Sequence, residues 1–185
     1  APTSLEPIHG LYKLQRLRLN NLAWDFHDFD QLAPFYSLTE FGSDGFQNVQ
    51  PEELEMLGRL PRLTGLFVGS SSSLKTLSFL TKMPRLRQIG ISFSAIEDYS
   101  PINRLKFLTK LNIQFGANPS ANNLAFLQFS PNLRKMHIGV DELPSLVGIE
   151  NALYLEELIA EGGTLDSIAS LSLLQSLKNL DISRN

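Results

Sequence analysis

The sequence predicts an α/β solenoid: a right-handed horseshoe with one parallel, concave β-sheet of about eight short strands and a convex side of 3₁₀ turns and short helical segments. Three observations carry this prediction. Apolar residues spaced as in Leu14-Leu17-Leu19 recur eight times, and the leading residues Leu14, Leu38, Leu63, Leu86, Leu108, Leu133, Leu155 and Leu177 follow one another at 24, 25, 23, 22, 25, 22 and 22 residues. Self-similarity of that period marks a stacked array. Within each copy the apolar period changes from three, as in Leu54-Leu57-Leu60-Leu63, to the alternation of a strand, as in Leu66-Phe67-Val68. Finally, 43% hydrophobic and 19% charged residues in a chain of 185 supply a core and exclude disorder over the whole length.

The strands are predicted in order at Leu17-Leu19, Phe41-Ser43, Leu66-Val68, Ile89-Ile91, Leu111-Ile113, Met136-Ile138, Leu158-Ala160 and Leu180-Ile182. Between them, Ile102-Leu105-Leu108 and Ile168-Leu171-Leu174-Leu177 suit tight return segments, because side chains at i and i+3 eclipse in a 3₁₀ turn. Pro51-Glu52-Glu53 predicts a helix start, with proline at the first position and carboxylates at the positive end of the dipole. Ser120 is expected to cap a second helical segment running through residues 123–127. No single repeat buries its apolar face alone, so neighbours share one continuous core. With no linker, composition shift or low-complexity tract, residues 1–185 read as a single domain.

These residues resemble the leucine-rich-repeat family over roughly residues 5–185. The subtype they are most similar to is the 22-residue one of bacterial internalins and of a phosphatase-regulatory subunit. Ile96-Glu97-Asp98-Tyr99-Ser100-Pro101-Ile102 follows that subtype's I-x-D-I-x-P-L phrase, and Leu180-Asp181-Ile182-Ser183-Arg184-Asn185 follows its strand and asparagine. The other asparagine slots hold Leu22, Phe46, Ser71, Ser94, Gly116, Asp141 and Gly163, so a less regular curve is expected. The resemblance implies a non-catalytic protein-recognition module without a cofactor, whose concave aromatic residues contact a partner.

The residues themselves agree on chemistry. Zero cysteine removes thiol catalysis, disulfides and thiolate metal sites. The phosphate-loop and G-x-S-x-G patterns are absent, so no enzyme is predicted. Trp24-Asp25-Phe26-His27-Asp28-Phe29-Asp30 gathers three carboxylates and an imidazole, but without Ca²⁺-loop spacing or paired histidines; the better reading is that Phe26 and Phe29 fill the return segment, and no metal is predicted. A net charge of -3 and a pI near 5.6 argue against a globally basic nucleic-acid binder. Neither a membrane-length apolar run nor a signal pattern occurs, and the compartment is left open between the cytoplasm and secretion from a bacterium.

Alternation turns Phe67, Lys110, Lys135 and His137 outward on the concave face. Phe93, Phe115 and Val140 occupy the next position past the fourth, fifth and sixth strands, and are expected either to form a contiguous apolar row beside them or to fold into the turn and cap the core. Gly42, Gly65, Gly69, Gly90 and Gly139 leave the middle of the sheet low, through close approach of a partner or through loose repeat degeneracy.

Charge falls in blocks: residues 1–58 carry three basic and nine acidic side chains, 59–135 eleven and two, and 136–185 two and eight. Arg59, Arg62, Lys82, Arg85, Arg87, Arg104 and Lys106 fall in the return segments and are expected to stack as a basic stripe. That stripe is either a solvated face or, in the alternative reading, the docking surface of a scaffold or regulatory segment for an acidic partner. The ladder stops at Asn185 inside its eighth strand, which predicts further domains of a longer chain or an end covered by another molecule, including a second copy.

Overall fold

The computed structural model describes residues 4–19, 28–44, 46, 48–69, 73–94, 96–115, 123–139, 145–162 and 165–183, and for Phe93, Ser94 and Phe115 the backbone alone. Each predicted strand is present: β1 Arg16–Leu19, β2 Glu40–Ser43, β3 Gly65–Gly69, β4 Gln88–Ser94, β5 Lys110–Phe115, β6 Lys135–Gly139, β7 Glu157–Glu161 and β8 Asn179–Asp181. Among the described residues they form one parallel sheet in the order β1 to β8, so every strand pairs only with its sequence neighbours.

One backbone device, repeated along the ladder, holds the strands in register. The carbonyl just after each leading leucine accepts two consecutive N–H groups from the next repeat. Gln15 O takes those of Thr39 and Glu40 at 2.8 and 3.0 Å, and Thr109 O those of Arg134 and Lys135 at 2.9 and 3.0 Å. Where that residue is threonine, its hydroxyl joins in: Thr39 Oγ1 donates to Gln15 O and Thr109 Oγ1 to Arg87 O, both at 3.0 Å. Backbone groups inside the array are thereby satisfied as burial demands.

Short 3₁₀ turns lie between the strands along the chain, among them Phe29–Leu32, Ser78–Lys82, Ser100–Arg104 and Ile149–Asn151. Several begin the same way, with a short polar side chain accepting the N–H two residues on: Asp98 Oδ1 from Ser100 at 2.9 Å, Ser145 Oγ from Val147 at 3.2 Å and Ser167 Oγ from Ala169 at 3.2 Å. The expected helix start at Pro51 is found as α1, Pro51–Leu54, where the Gln50 N–H donates to Glu53 Oε2 at 2.7 Å. The second expected helical segment is shorter and starts later. It is a 3₁₀ turn, Ala125–Leu127, begun by Asn123 Oδ1 accepting from the Ala125 N–H at 2.9 Å, while Ser120 lies outside the described residues. Its apolar residues Leu124 and Leu127 are three apart, which is the 3₁₀ period.

The core lies between sheet and turns. Leu66, Ile89, Leu111 and Leu158 contribute from the strands, and Leu57, Leu80, Ile102 and Leu127 from the return side, all at 1% exposure or less. The N-terminal repeats use aromatics where the others use leucine: the Phe41 ring lies 6.4 Å from Phe29 and 6.3 Å from Phe46. Phe46 is fully buried in a slot where the resemblance expects asparagine. The hydroxyl of buried Ser43 donates to Leu19 O at 3.0 Å, spanning two repeats. At the other end, Leu173 and Leu180 are 58% and 47% exposed. No helix among the described residues is long and apolar enough to cross a membrane.

Candidate functional site

Parallel pairing lines the concave side chains into rows. The first runs Arg16, Glu40, Gly65, Gln88, Lys110, Lys135, Glu157, Asn179, and the second Arg18, Gly42, Phe67, Gly90, Asn112, His137, Ile159, Asp181. Phe67 therefore stands between two glycines, and both are needed. A Cβ added to Gly90 would lie 2.5 Å from Phe67 Cδ1, and one added to Gly42 2.9 Å from Phe67 Cβ. The ring lies down across Gly90, and the Arg18 guanidinium reaches over Gly42 to sit 4.7 Å from the ring centroid.

The remaining concave glycines serve the same purpose. The side chain of Glu40 covers Gly65, the Asp44 carboxylate crowds Gly69 and Gln114 leans over Gly139, with an added Cβ meeting them at 2.9, 2.6 and 3.2 Å. The low, open floor expected from these glycines is instead a set of seats filled by neighbouring strands' side chains. Between Arg18, Asp44, Phe67, Ser92, Asn112 and Gln114 a hollow of about 140 Å³ remains.

Lys110 and Lys135 share the first row and His137 lies half-buried in the second. Lys135 Nζ pairs with Glu157 Oε2 at 3.0 Å. That hydrogen bond is the main reason the Glu157 carboxyl is held below the ordinary glutamate range, with desolvation opposing it. A group whose folded pKa is depressed stabilises above its unfolded value and loses that contribution as pH falls through the folded one. In Lys135→Ala the Glu157 carboxyl is expected to titrate closer to the ordinary value, as read by carbon-detected NMR against pH; an unmoved titration would show that the pair does not persist in solution.

Phe93 and Phe115 are not register partners. β4 carries an extra residue, so Ser94 pairs with Phe115 and Phe93 falls in the irregularity between Ser92 and Ser94. A bulge of one residue displaces the chain locally, so the equal backbone spacing behind the expected row does not hold between β4 and β5. The side chains of Phe93 and Phe115, and all of Val140, lie outside the described residues.

The basic residues of the return segments divide into two groups. Arg59 pairs with Asp30 at 3.7 Å, Arg85 donates to Pro61 O at 2.9 Å, and Arg87 lies 5.9 Å from the Phe107 ring centroid. Arg62, Lys82, Arg104 and Lys106 are exposed and, among the described residues, make no ion pair. The sequence reading missed the aromatics on this flank: Phe107, Phe129 and Tyr154 are 53%, 60% and 52% exposed. Aligning the repeats on their leading leucine shows them, since Phe107 and Tyr154 take the position of Arg62 and Arg85, and Phe129 that of Arg59, Lys82 and Arg104. Arg134 lies 4.8 Å from the Tyr154 ring centroid, so Tyr154 and Phe107 each already have a guanidinium partner.

Of the acidic cluster, residues 24–27 lie outside the described residues. Phe29 is buried as expected, Asp28 accepts from Gln31 Nε2 at 3.1 Å, and Asp30 faces Arg59. Among the described residues no group of three His, Asp or Glu side chains is placed to hold a metal ion.

No family model and no curated protein sequence matches the chain. Solved structures do. Internalin C2 of Listeria monocytogenes superposes with a TM-score of 0.70 at 18% identity, over 99% of this chain and 77% of its own. The chain has the leucine-rich-repeat fold. Internalin InlF of the same organism matches this solenoid with a TM-score of 0.62 at 15% identity over 98% of the chain, and TLR13, solved with the RNA ssRNA13, with 0.69 at 20% over 97%. The chain spans 57% of InlF and 27% of TLR13. What these proteins share with it is the solenoid. Its spacing of 22 to 25 residues is broader than the 22-residue subtype to which the sequence alone compares it.

Proposed function

We propose that this leucine-rich-repeat chain, acting as one domain over residues 1–185, is a non-catalytic recognition module that binds a protein partner on its concave sheet. The observation that carries the reading is the Phe67 seat: a half-buried aromatic ring in the central row, laid across Gly90 with Arg18 4.7 Å from its centroid. Aromatic and arginine side chains dominate interface energetics, and holding them fixed before binding removes ordering cost. Asp44, Ser92, Asn112 and Gln114 stand around the hollow beside the ring as a polar rim, and Lys110, Lys135, His137 and Glu157, two to four strands further along the sheet, extend that polar surface. A nucleic-acid ligand fits this face less well, because Glu40, Asp44, Glu157, Glu161 and Asp181 lie among its cations.

Affinity capture with the wild-type chain beside Phe67→Ser, its folding checked by circular dichroism, tests the reading. A bound protein is expected to be lost by the variant, with affinity falling by about 30-fold or more, as for truncation of an interface anchor. Equal retention by both would remove Phe67 from the site.

A second reading has its own observation. The exposed Arg62, Lys82, Arg104 and Lys106 suit a scaffold or regulatory segment that docks an acidic partner on the return side.

A further inference from the structure

A hollow larger than the one beside Phe67 lies away from the concave sheet. It is a groove of about 1090 Å³ across the return segments that follow β3, β4 and β5. Pro101, Arg104 and Lys106 line it from one repeat and Gln128, Phe129 and Pro131 from the next. Two inter-repeat bonds hold these walls: Asn132 Nδ2 donates to Lys106 O at 2.8 Å, and the Phe129 N–H to Asn103 Oδ1 at 3.4 Å.

We propose that this groove binds an acidic peptide segment of a partner protein, with a large apolar side chain of that segment set against Phe129 and its carboxylates on Arg104 and Lys106. The proposal rests on the basic-stripe reading and is independent of the concave one.

Three features select this occupant. The charge is complementary: residues 59–135 carry eleven basic and two acidic side chains, and Arg104 and Lys106 have no ion-pair partner among the described residues. One of those two acids, Asp98, also lines the groove; its Oδ1 accepts the Ser100 N–H, and among the described residues it makes no ion pair with Arg104 or Lys106. Second, Phe129 is the most exposed large apolar residue described, at 60%, and it stands in the groove beside Pro131. An apolar surface rimmed by polar groups is the pattern of an anchor pocket. Third, the flank does not suit a single nucleic-acid strand. Successive bases need successive free rings, and Phe107 and Tyr154 on either side of Phe129 are each paired with their own guanidinium, from Arg87 and Arg134. One ring that shares a groove with two cations unpaired among the described residues fits one anchored residue and its acidic neighbours. The amides of Gln128 and Asn103, both lining the groove, present the donors and acceptors an extended backbone uses.

The test is selection of a random peptide display library on the immobilised chain, followed by affinity measurement of the selected peptides on variants. Enriched peptides are expected to be net acidic with one large apolar residue and to lose affinity as salt is raised. Phe129→Ser and the double variant Arg104→Gln, Lys106→Gln are each expected to weaken them about tenfold or more, while Phe67→Ser leaves them unchanged. All these side chains are exposed or half-buried, and circular dichroism of each variant separates lost binding from lost fold. Acidic peptides that survive Phe129→Ser but are lost on Arg62→Gln, Lys82→Gln would overturn the groove and leave the stripe reading standing. No acidic enrichment would overturn both. Groove-dependent binding of an oligo-thymidine strand in place of peptide would replace the occupant with a nucleic acid.

Discussion

Gly148→Ala is expected to be the most damaging addition of a single methyl group to this chain. Gly148 precedes the 3₁₀ turn Ile149–Asn151 with φ at 105°, a conformation that costs an alanine on the order of 1–3 kcal/mol. The larger part is steric. A Cβ there would lie 2.3 Å from Leu124 C and 2.4 Å from Leu124 O, both backbone atoms of the preceding repeat. Those atoms have no freedom to retreat, because the Leu124 N–H is bonded to Val147 O at 2.7 Å, which ties the two turns together. A total loss of about 3–5 kcal/mol follows, in the range of backbone strain added to overpacking. Gly10→Ala is the control, since a Cβ there meets nothing within 4 Å. Urea unfolding of the two variants side by side checks the claim, and similar midpoints would show that the repeats separate at Gly148 at little cost.

Phe41→Ala is expected to lose a comparable amount, about 3–5 kcal/mol, by removing a fully buried ring from the centre of β2 and leaving a cavity between Phe29 and Phe46. Its reach distinguishes it from a core mutation in a globular domain. Each strand pairs only with its neighbours, so the loss is felt by the adjoining repeats first. Hydrogen exchange is expected to accelerate at the amides of β1 to β3 while those of β5 to β7 keep most of their protection. Uniform loss of protection along the sheet would show that the array unfolds as one unit.

Both predictions depend on features of different legibility. Phe41 stands in a leading-pattern position, and its burial follows from counting. The strain at Gly148 follows from no pattern, because glycine at Gly10 has nothing within 4 Å of an added Cβ, and only the position of Leu124 in the previous turn makes Gly148 obligatory. The concave glycines teach the same lesson. From the sequence they were gaps in the sheet; in the fold Gly90 and Gly42 are the seat of Phe67, a relation between residues 23 to 25 positions apart that register alone creates. The break between Phe93 and Phe115 comes from one added residue in β4, and equal numbering from the ruler has no means of showing it. The exposed aromatics were legible in the aligned repeats but not in a search for charge.

The sequence by itself determined the fold, the eight strands, their inward faces and the blocks of charge, because stacking identical units lets one period dictate local conformation and core together. Only the tertiary structure decided which surface residues are already engaged. Arg59, Arg85, Arg87 and Lys135 are held by partners in neighbouring repeats, whereas Arg104, Lys106 and Phe129 meet around a groove. The physical reason is that side chains of the surface are placed by contacts between repeats, across some 20 residues or more of chain, and these depend on register, bulges and rotamers that no single-chain period encodes.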